Sequence, residues 1–336
     1  MKALGWFSLA LLAAALLMLF VVQSMVAMNR PRDRAELRSN ATIDMRVPTA
    51  GESAAIPGVE NYEARNRSLL GFRHYRSKEQ TRIKLYLVHA ETWDDLQFSA
   101  LATSLAYRLG VADVFTFDMR GHGQNPLHRG DVDYVGQPTD DLADLIRATS
   151  APGDTIIIGG HSAGAAVATR LAAAPGAIKL GGLLLLAPVL SQDFAANRPD
   201  LGGWALPLTF RVAALKLQNA LGMHWSDQEI AVQYAVPEAV WKGPLGYSVT
   251  SDYTWSFVKS LQLPAADGSD LSKVRVPYLA IVGRDDEVID AAMLEPAMKT
   301  FSKSGTYAVV PQETHFSVVD SQQTLAIIQN WLSKLS

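Results

Sequence analysis

Ser162 is the residue of this chain best suited to nucleophilic chemistry. It lies in a Gly-His-Ser-Ala-Gly turn between a β-branched run and an alanine-rich helical pattern. A serine held between a strand and a helix has a strained backbone, so its neighbours must be small, and Gly160 and Gly164 meet that need. The free N–H groups and positive dipole end of the following helix face an oxyanion, which makes the Ala163 N–H a candidate donor. The sequence therefore predicts a nucleophile elbow that includes Gly160, His161 and Gly164.

A general base must accompany this serine, because a hydroxyl at its ordinary pKa is a poor nucleophile. In this type of turn the acid and then the histidine follow the serine along the chain. Of the seven histidines, only His224 and His315 lie downstream of Ser162. His224 lies in a stretch predicted to be a lid, whereas His315 lies in a loop between a predicted strand at 306–310 and a predicted helix at 320–335. The loop position favours His315.

An acidic run, Asp285-Asp286-Glu287, could supply the acid that orients this histidine. It follows a buried-strand pattern at 277–282, and functional groups of open α/β sheets gather at the carboxyl ends of the strands. A helical pattern at 289–301 comes next, and acids also favour helix N-termini. The residues alone therefore leave the choice among these acids open.

The motifs resemble those of the α/β-hydrolase family, in particular its lysophospholipase and monoacylglycerol-lipase-like branch of the serine aminopeptidase S33 type. The resemblance covers about residues 71–335 and rests on Val88-His89, Asp118-Met-Arg-Gly-His-Gly123, the elbow, Asp140-Asp-Leu142, Leu183 to Pro188 and Gly283-Arg-Asp-Asp286. It implies an α/β fold with a mostly parallel central sheet, helices on both faces and a helical lid. The G-x-x-D match implies that Asp286 is the orienting acid, and His122 is expected to be structural.

Glu91 departs from the family pattern. Where the family usually has His-Gly and then a small residue, this chain has His89-Ala90-Glu91. The resemblance implies that the second N–H of the oxyanion hole comes from Ala90 or Glu91. A carboxylate at Glu91 would repel the negative charge that develops there, unless the side chain turns outward.

The N-terminal segment is apolar enough to cross a membrane. Residues 3–28 contain no charged residue, and about 20 residues of helix span the ~30 Å hydrocarbon core. The segment is long for a signal-peptide core and has no clear cleavage site near Ala27, so it predicts an uncleaved single-pass anchor, with a cleaved signal peptide as the alternative. The arginines after the segment favour a cytoplasmic domain by the positive-inside rule. N-terminal signal anchors, however, commonly export the domain on their C-terminal side, and we expect a bacterial inner-membrane protein with its catalytic domain on the exported side.

The rest of the chain divides into a tether and one domain. Residues 1–28 are the predicted anchor, 29–64 the tether and 65–336 the hydrolase domain, with a lid insertion at about 189–260. Within the lid, amphipathic helices are predicted at 206–221 and 226–234. The lid also carries Trp204, Trp225, Trp241 and Trp255. These side chains either line an acyl pocket or touch a bilayer, or they pack the lid onto the sheet.

Composition excludes several classes of function. The net charge is −3 and no basic stripe is present, so no nucleic-acid partner is expected. No G-x-G-x-x-G or P-loop motif occurs, which argues against a nucleotide or other cofactor. The absence of cysteine excludes disulfides and thiolate metal sites, and no metal is predicted.

These features together predict a membrane-anchored serine hydrolase that cleaves carboxylic esters through an acyl-enzyme on Ser162. The anchor and lid favour a lipid-like substrate, such as a monoacylglycerol or a lysophospholipid. One alternative is a non-catalytic, membrane-tethered binding module with the same fold. Another is a peptidase or thioesterase that uses the same three residues.

Overall fold

A central eight-stranded sheet organises the protein, whose computed structural model describes residues 2–37, 43, 45, 56–123, 128–176 and 178–335. The strands are β1 (Glu60–Glu63), β2 (Leu69–Tyr75), β3 (Ile83–Val88), β4 (Asp113–Phe117), β5 (Thr155–His161), β6 (Leu180–Leu186), β7 (Ala205–Pro207), β8 (Ile230–Tyr234), β9 (Asp252–Thr254), β10 (Tyr278–Gly283) and β11 (Gly305–Val310). The central sheet has the order β1-β2-β4-β3-β5-β6-β10-β11. From β4 to β11 in this order, neighbouring strands are parallel. Strand β2 pairs with β4 in the antiparallel direction, and β1 pairs with β2 in the same way.

Helices lie between the parallel strands, in the insertion after β6 and at both ends of the chain. They are α1 (Lys2–Met28), α2 (Ser99–Thr103), α3 (Gln137–Thr149), α4 (Ala163–Ala173), α5 (Thr209–Ala220), α6 (Glu238–Lys242), α7 (Trp255–Ser260), α8 (Ala291–Phe301), α9 (Ser317–Asp320) and α10 (Gln322–Leu332). Short 3-10 turns lie at Arg34–Glu36, Asp95–Phe98, Pro199–Gly203 and Ser269–Lys273, and a π-helical turn at Ser104–Arg108 extends α2. The predicted α/β-hydrolase fold with a mostly parallel sheet is confirmed.

Apolar side chains cover both faces of the central sheet. On β3, Leu85 and Leu87 belong to one buried cluster, whereas Tyr86 and Val88 belong to another. Strands buried on both faces are continuous hydrophobic runs, which is why the strands expected near residues 155 and 277 were visible in the sequence. The edge strand β11, near residue 306, is only partly buried. The carboxyl ends of these strands meet at one edge, where the candidate site lies.

The insertion after β6 is not purely helical. Helix α5 confirms the first predicted lid helix, but the helix predicted at 226–234 is wrong, because Ile230–Tyr234 is the middle strand β8 of a three-stranded antiparallel sheet. Its neighbours β7 and β9 come from distant parts of the insertion. Pairing with them stabilises an extended conformation that local periodicity does not reveal.

Helix α1 stands largely outside the domain. Its side chains that the structure describes from Leu11 to Val21 are exposed, and contact with the domain begins at Val22. Val22 and Val26 pack against Ala214 of α5. Much of the predicted tether, 38–42, 44 and 46–55, lies outside the described residues.

Candidate active site

The turn after β5 has the strained backbone that its sequence predicts. Ser162 has φ 51° and ψ −123°, outside the regions that non-glycine residues normally occupy. A Cβ on Gly160 would overlap the backbone of Gly164, and one on Gly164 would overlap the carbonyls of Val88 and His89. The two glycines therefore allow α4 to begin directly behind Ser162, against the end of β3.

Three predicted site residues from distant parts of the chain meet at the sheet's carboxyl edge. The His315 Nε2 atom lies 2.9 Å from Ser162 Oγ. The His315 Nδ1 atom lies 2.9 Å from Asp286 Oδ2, and Asp286 Oδ1 also accepts the N–H groups of Val288 at 2.8 Å and Ile289 at 2.7 Å. Asp286, held in this way, fixes the imidazole so that Nε2 can take the serine proton.

The acids around His315 alter its proton affinity. Burial by itself lowers the pKa of His315, but the charge and hydrogen bond of Asp286, together with the charges of Glu91 and Glu287, raise that pKa above its usual value. The His315 backbone N–H also donates to Glu287 Oε2 at 2.9 Å. The imidazolium that forms when the histidine takes a proton is therefore stabilised.

The two candidate donors in the oxyanion segment differ. The Ala90 N–H, one predicted donor of the oxyanion hole, donates to Gln97 Oε1 at 2.7 Å and is therefore engaged by a side chain. The Glu91 carboxylate lies at the start of α4, where it accepts the Ala163 N–H at 3.2 Å. The side chain thus turns inward, and Glu91 is only 1% exposed.

A hydrogen-bonded path that the sequence did not reveal connects this segment to the histidine. Gln97, whose carbonyl oxygen holds the Ala90 N–H, donates from Nε2 to Nδ1 of His161 at 2.7 Å. The Nε2–H of His161 donates to the backbone carbonyl of His315 at 2.8 Å. Burial holds the pKa of His161 well below its usual value, which suits this neutral tautomer. No motif or spacing singled out Gln97.

The lid closes over these residues. Ser162 and His315 are fully buried, and so is Trp204, whose ring meets Phe316 edge to face with centroids 5.8 Å apart. Tyr253 of the lid hydrogen-bonds His122 Nε2 at 2.7 Å, in agreement with the expected structural role of His122. A substrate must therefore displace part of the lid to reach Ser162.

Other candidates lie elsewhere. His224 pairs with Asp227 on the lid surface, with 3.0 Å between Nδ1 and Oδ2. Trp225 is exposed. The Arg34 guanidinium lies over the ring of Trp241, 3.6 Å from the ring centroid. The indole of Trp255 donates to Asn219 within the lid. Of the four lid tryptophans, Trp204 is thus the one packed beside the loop that carries His315 and Phe316.

Comparison with known proteins agrees with this architecture. The profile of the family described as Hydrolase_4, serine aminopeptidase, S33, matches residues 79–322. No curated protein matches the chain by sequence.

Solved structures show the same fold at low identity. A monoacylglycerol lipase from Paleococcus ferrophilus is 18% identical, with a TM-score of 0.60 over 80% of this chain and 99% of that one. A soluble variant of monoglyceride lipase from Saccharomyces cerevisiae is 15% identical, with a TM-score of 0.62 over 88% and 99%. A bacterial membrane phospholipase A is 18% identical, with a TM-score of 0.56 over 100% and 99%. At these identities the likeness is one of fold.

Proposed function

Because this chain belongs to the serine aminopeptidase S33 family of α/β hydrolases, we propose that it is a membrane-anchored serine hydrolase acting on carboxylic esters of lipid-like acids. The observation that carries the proposal is the continuous contact from Asp286 through His315 to Ser162 Oγ, with 2.9 Å at each step. This arrangement serves acyl transfer, since it supplies a nucleophile, a base and an orienting acid in one line.

The reaction proceeds in two halves. Ser162 Oγ attacks the ester carbonyl carbon while its proton passes to His315 Nε2, and the carbonyl oxygen becomes an oxyanion held by the N–H groups of Ala163 and Glu91. When the tetrahedral intermediate collapses, the C–O bond to the alcohol breaks and His315 returns the proton to the leaving oxygen. Water then gives a proton to His315 Nε2 and attacks the acyl carbon. The bond from that carbon to Ser162 Oγ breaks, His315 returns the proton to Ser162 Oγ, and the carboxylic acid leaves.

Helix α1 supports a membrane location. Its window from Leu11 to Met28 is long and apolar enough to cross a membrane, although a signal sequence would meet the same test. About 20 residues precede the first domain contact at Val22, and a helix of that length spans the ~30 Å of a hydrocarbon core. The domain would then rest at the bilayer surface.

The direction of α5 supports a lipid-like substrate. Gln218 donates to Gln23 at 2.9 Å, whereas Arg211, near the other end of α5, donates to the Val26 carbonyl at 2.9 Å. Helix α5 is therefore antiparallel to α1, and its C-terminal end points toward the free apolar part of α1. Leu217, Leu221 and Trp225 are exposed at this end, where they would enter the interface and place the lid on the bilayer.

Ester hydrolysis by the full chain in detergent micelles tests the catalytic proposal. We expect turnover of p-nitrophenyl esters with an optimum at medium or long acyl chains, and loss of turnover and of fluorophosphonate labelling in Ser162→Ala. Absence of labelling in the folded wild type would instead favour the non-catalytic binding module. Turnover of amino-acid p-nitroanilides in preference to esters would favour the peptidase activity that the family description names.

A separate experiment tests the bilayer contact. Leu217→Glu combined with Leu221→Glu should lower turnover of monoacylglycerol or lysophospholipid in vesicles several-fold, and leave turnover of p-nitrophenyl acetate unchanged. Val309→Glu, at an exposed residue on β11, is the matched control.

Protease protection of the domain in intact cells and spheroplasts tests the exported orientation.

A further inference from the structure

Glu91 fills the space that the proposed reaction needs for the substrate oxygen. Its Oε2 accepts the Ala163 N–H at 3.2 Å, and its Oε1 lies 3.5 Å from Ser162 Oγ. The Ala163 N–H, one of the two proposed donors of the oxyanion hole, is thus bonded by this carboxylate. An ester carbonyl cannot enter the hole while the carboxylate stays there, because two oxygens cannot share one site.

The carboxylate lacks a cationic partner other than the catalytic histidine. No lysine or arginine among the described residues pairs with Glu91. The titratable groups that face it are His315 from the histidine loop and Tyr234 and Tyr253 from the lid. Burial raises the pKa of Glu91, while His315 and the hydrogen bonds from Glu91, Ala163 and Ser162 oppose that rise.

Ser162 stands between His315 and Glu91 and can bond either of them. Its hydroxyl has one proton, and either His315 Nε2 at 2.9 Å or Glu91 Oε1 at 3.5 Å can accept it. When His315 is protonated, Nε2–H donates to Ser162 Oγ and the serine proton turns toward Glu91. In that state the base already holds a proton and the oxyanion hole is full, so neither half of the catalytic centre can act.

The segment that carries Glu91 is tied to the lid. The Thr92 N–H donates to Tyr253 Oη at 2.7 Å, and the Thr92 carbonyl accepts the Thr250 N–H at 3.2 Å. Thr92 itself has φ 70°, a conformation that a β-branched residue rarely adopts, and its buried hydroxyl has no hydrogen-bond partner. Two hydrogen bonds therefore join the lid to the backbone next to Glu91.

We propose that Glu91 is a gate: its carboxylate closes the oxyanion hole while the lid is shut, and it leaves the hole when lid opening moves Thr92. The hole is then free for a substrate carbonyl only in the open form. This inference rests on the proposed function of Ser162. It adds the requirement that Glu91 leaves the oxyanion hole before Ser162 can react, which contact among Asp286, His315 and Ser162 does not impose.

Two readouts in the full chain test the gate. The first is binding of hexanoate, a carboxylate like the product, to Ser162→Ala and to the double variant Ser162→Ala/Glu91→Ala. Removing the internal carboxylate should tighten hexanoate binding about tenfold or more, because the Ala163 N–H loses its internal acceptor and the space beside Ser162 becomes free. The second is the rate of fluorophosphonate labelling and of p-nitrophenyl butyrate turnover with Ser162 intact. Glu91→Ala should raise both about tenfold or more, since one oxyanion-hole donor alone is worth about 10²–10³ in rate.

Glu91→Gln is the matched control, because it keeps the shape and an acceptor oxygen but loses the charge. It should leave hexanoate binding weak and raise the labelling rate much less than Glu91→Ala. Melting temperatures establish that each variant is folded, and Glu91→Ser is a second truncation if Glu91→Ala is not. Folded truncations that bind hexanoate no better and label no faster would overturn the gate.

The outcomes separate this proposal from the proposed function. Tighter hexanoate binding without labelling of any variant supports a closed hole but refutes a serine hydrolase. Labelling that depends on Ser162 and ignores Glu91, with unchanged hexanoate binding, supports the hydrolase and refutes the gate.

Discussion

The two halves of the candidate catalytic centre differ in whether their groups are free to act. On the histidine side, Asp286, His315 and Ser162 stand in contact, each within 2.9 Å of the next. On the oxyanion side, the Glu91 carboxylate accepts the Ala163 N–H, a donor that would stabilise a transition state. The contrast shows that the nucleophile can be positioned while the site that stabilises the oxyanion is still blocked. Positioning of the nucleophile and stabilisation of the oxyanion are therefore separable functions.

Ser162→Ala breaks the histidine side completely and should have the largest effect. Loss of the attacking oxygen is expected to lower kcat for p-nitrophenyl esters by a factor on the order of 10⁵ to 10⁶. Steady-state kinetics with a detection limit below that level would measure it. Retention of more than about a hundredth of the activity would exclude Ser162 as the nucleophile.

Asp286→Asn should be the next most damaging change. Asparagine fits the same space, but it can place an N–H toward His315 Nδ1 and so favour the wrong imidazole tautomer. We expect kcat to fall by about 10³ to 10⁴ with little change in KM. Asp285→Asn, at the neighbouring acid, is the control and should retain activity near wild type. Equal losses in the two variants would contradict the choice of Asp286.

Much of the histidine side could be predicted from the sequence because it depends on local rules. The elbow follows from two glycines around Ser162, and His315 follows from chain order and a loop between a strand and a helix. Asp286 needed the resemblance to a known family, because three adjacent acids satisfy the same local rule. The inner parallel strands β5 and β10 were visible because both of their faces are buried.

The oxyanion side could not be predicted in the same way because it depends on tertiary contacts. The departure at Glu91 was visible, but only packing under the lid determines whether its side chain turns inward. The sequence also does not reveal that Gln97, seven residues further along the chain, accepts the Ala90 N–H. Likewise β8 was mistaken for a helix, since the strands that pair with it are distant in sequence.

Gln97→Leu tests how the two sides of the site depend on each other, because Gln97 hydrogen-bonds both the oxyanion segment at Ala90 and His161 on the histidine side. The substitution leaves the Ala90 N–H and His161 Nδ1 without their partner, and His161 in turn supports the His315 carbonyl. We expect kcat to fall about tenfold and the free energy of unfolding to fall by ~1–3 kcal/mol. Gln97→Glu keeps the acceptor for Ala90 but loses the donor to His161. A smaller loss in Gln97→Glu would assign most of the effect to the oxyanion side, whereas an equal loss would assign it to the histidine side.

The acidic residues near His315 should have the smallest effect, a shift in the pH dependence of kcat/KM. The base must be neutral to act, so activity falls as pH drops through the pKa of His315, which its acidic neighbours raise. Glu287→Gln removes a negative charge but keeps an acceptor for the His315 N–H. The imidazolium is then less stable, the pKa falls, and the acidic limb of kcat/KM should move to lower pH by a fraction of a unit.

Glu91→Gln should move the same limb in the same direction, because Glu91 also raises the pKa of His315. The exposed Glu295, which pairs with Lys299 on α8, supplies the control substitution Glu295→Gln, for which no shift is expected. A limb that moves in Glu287→Gln and stays fixed in Glu91→Gln would mean that Glu91 is already neutral or out of the hole when the base titrates. The ionised carboxylate would then not be the species that closes the oxyanion side.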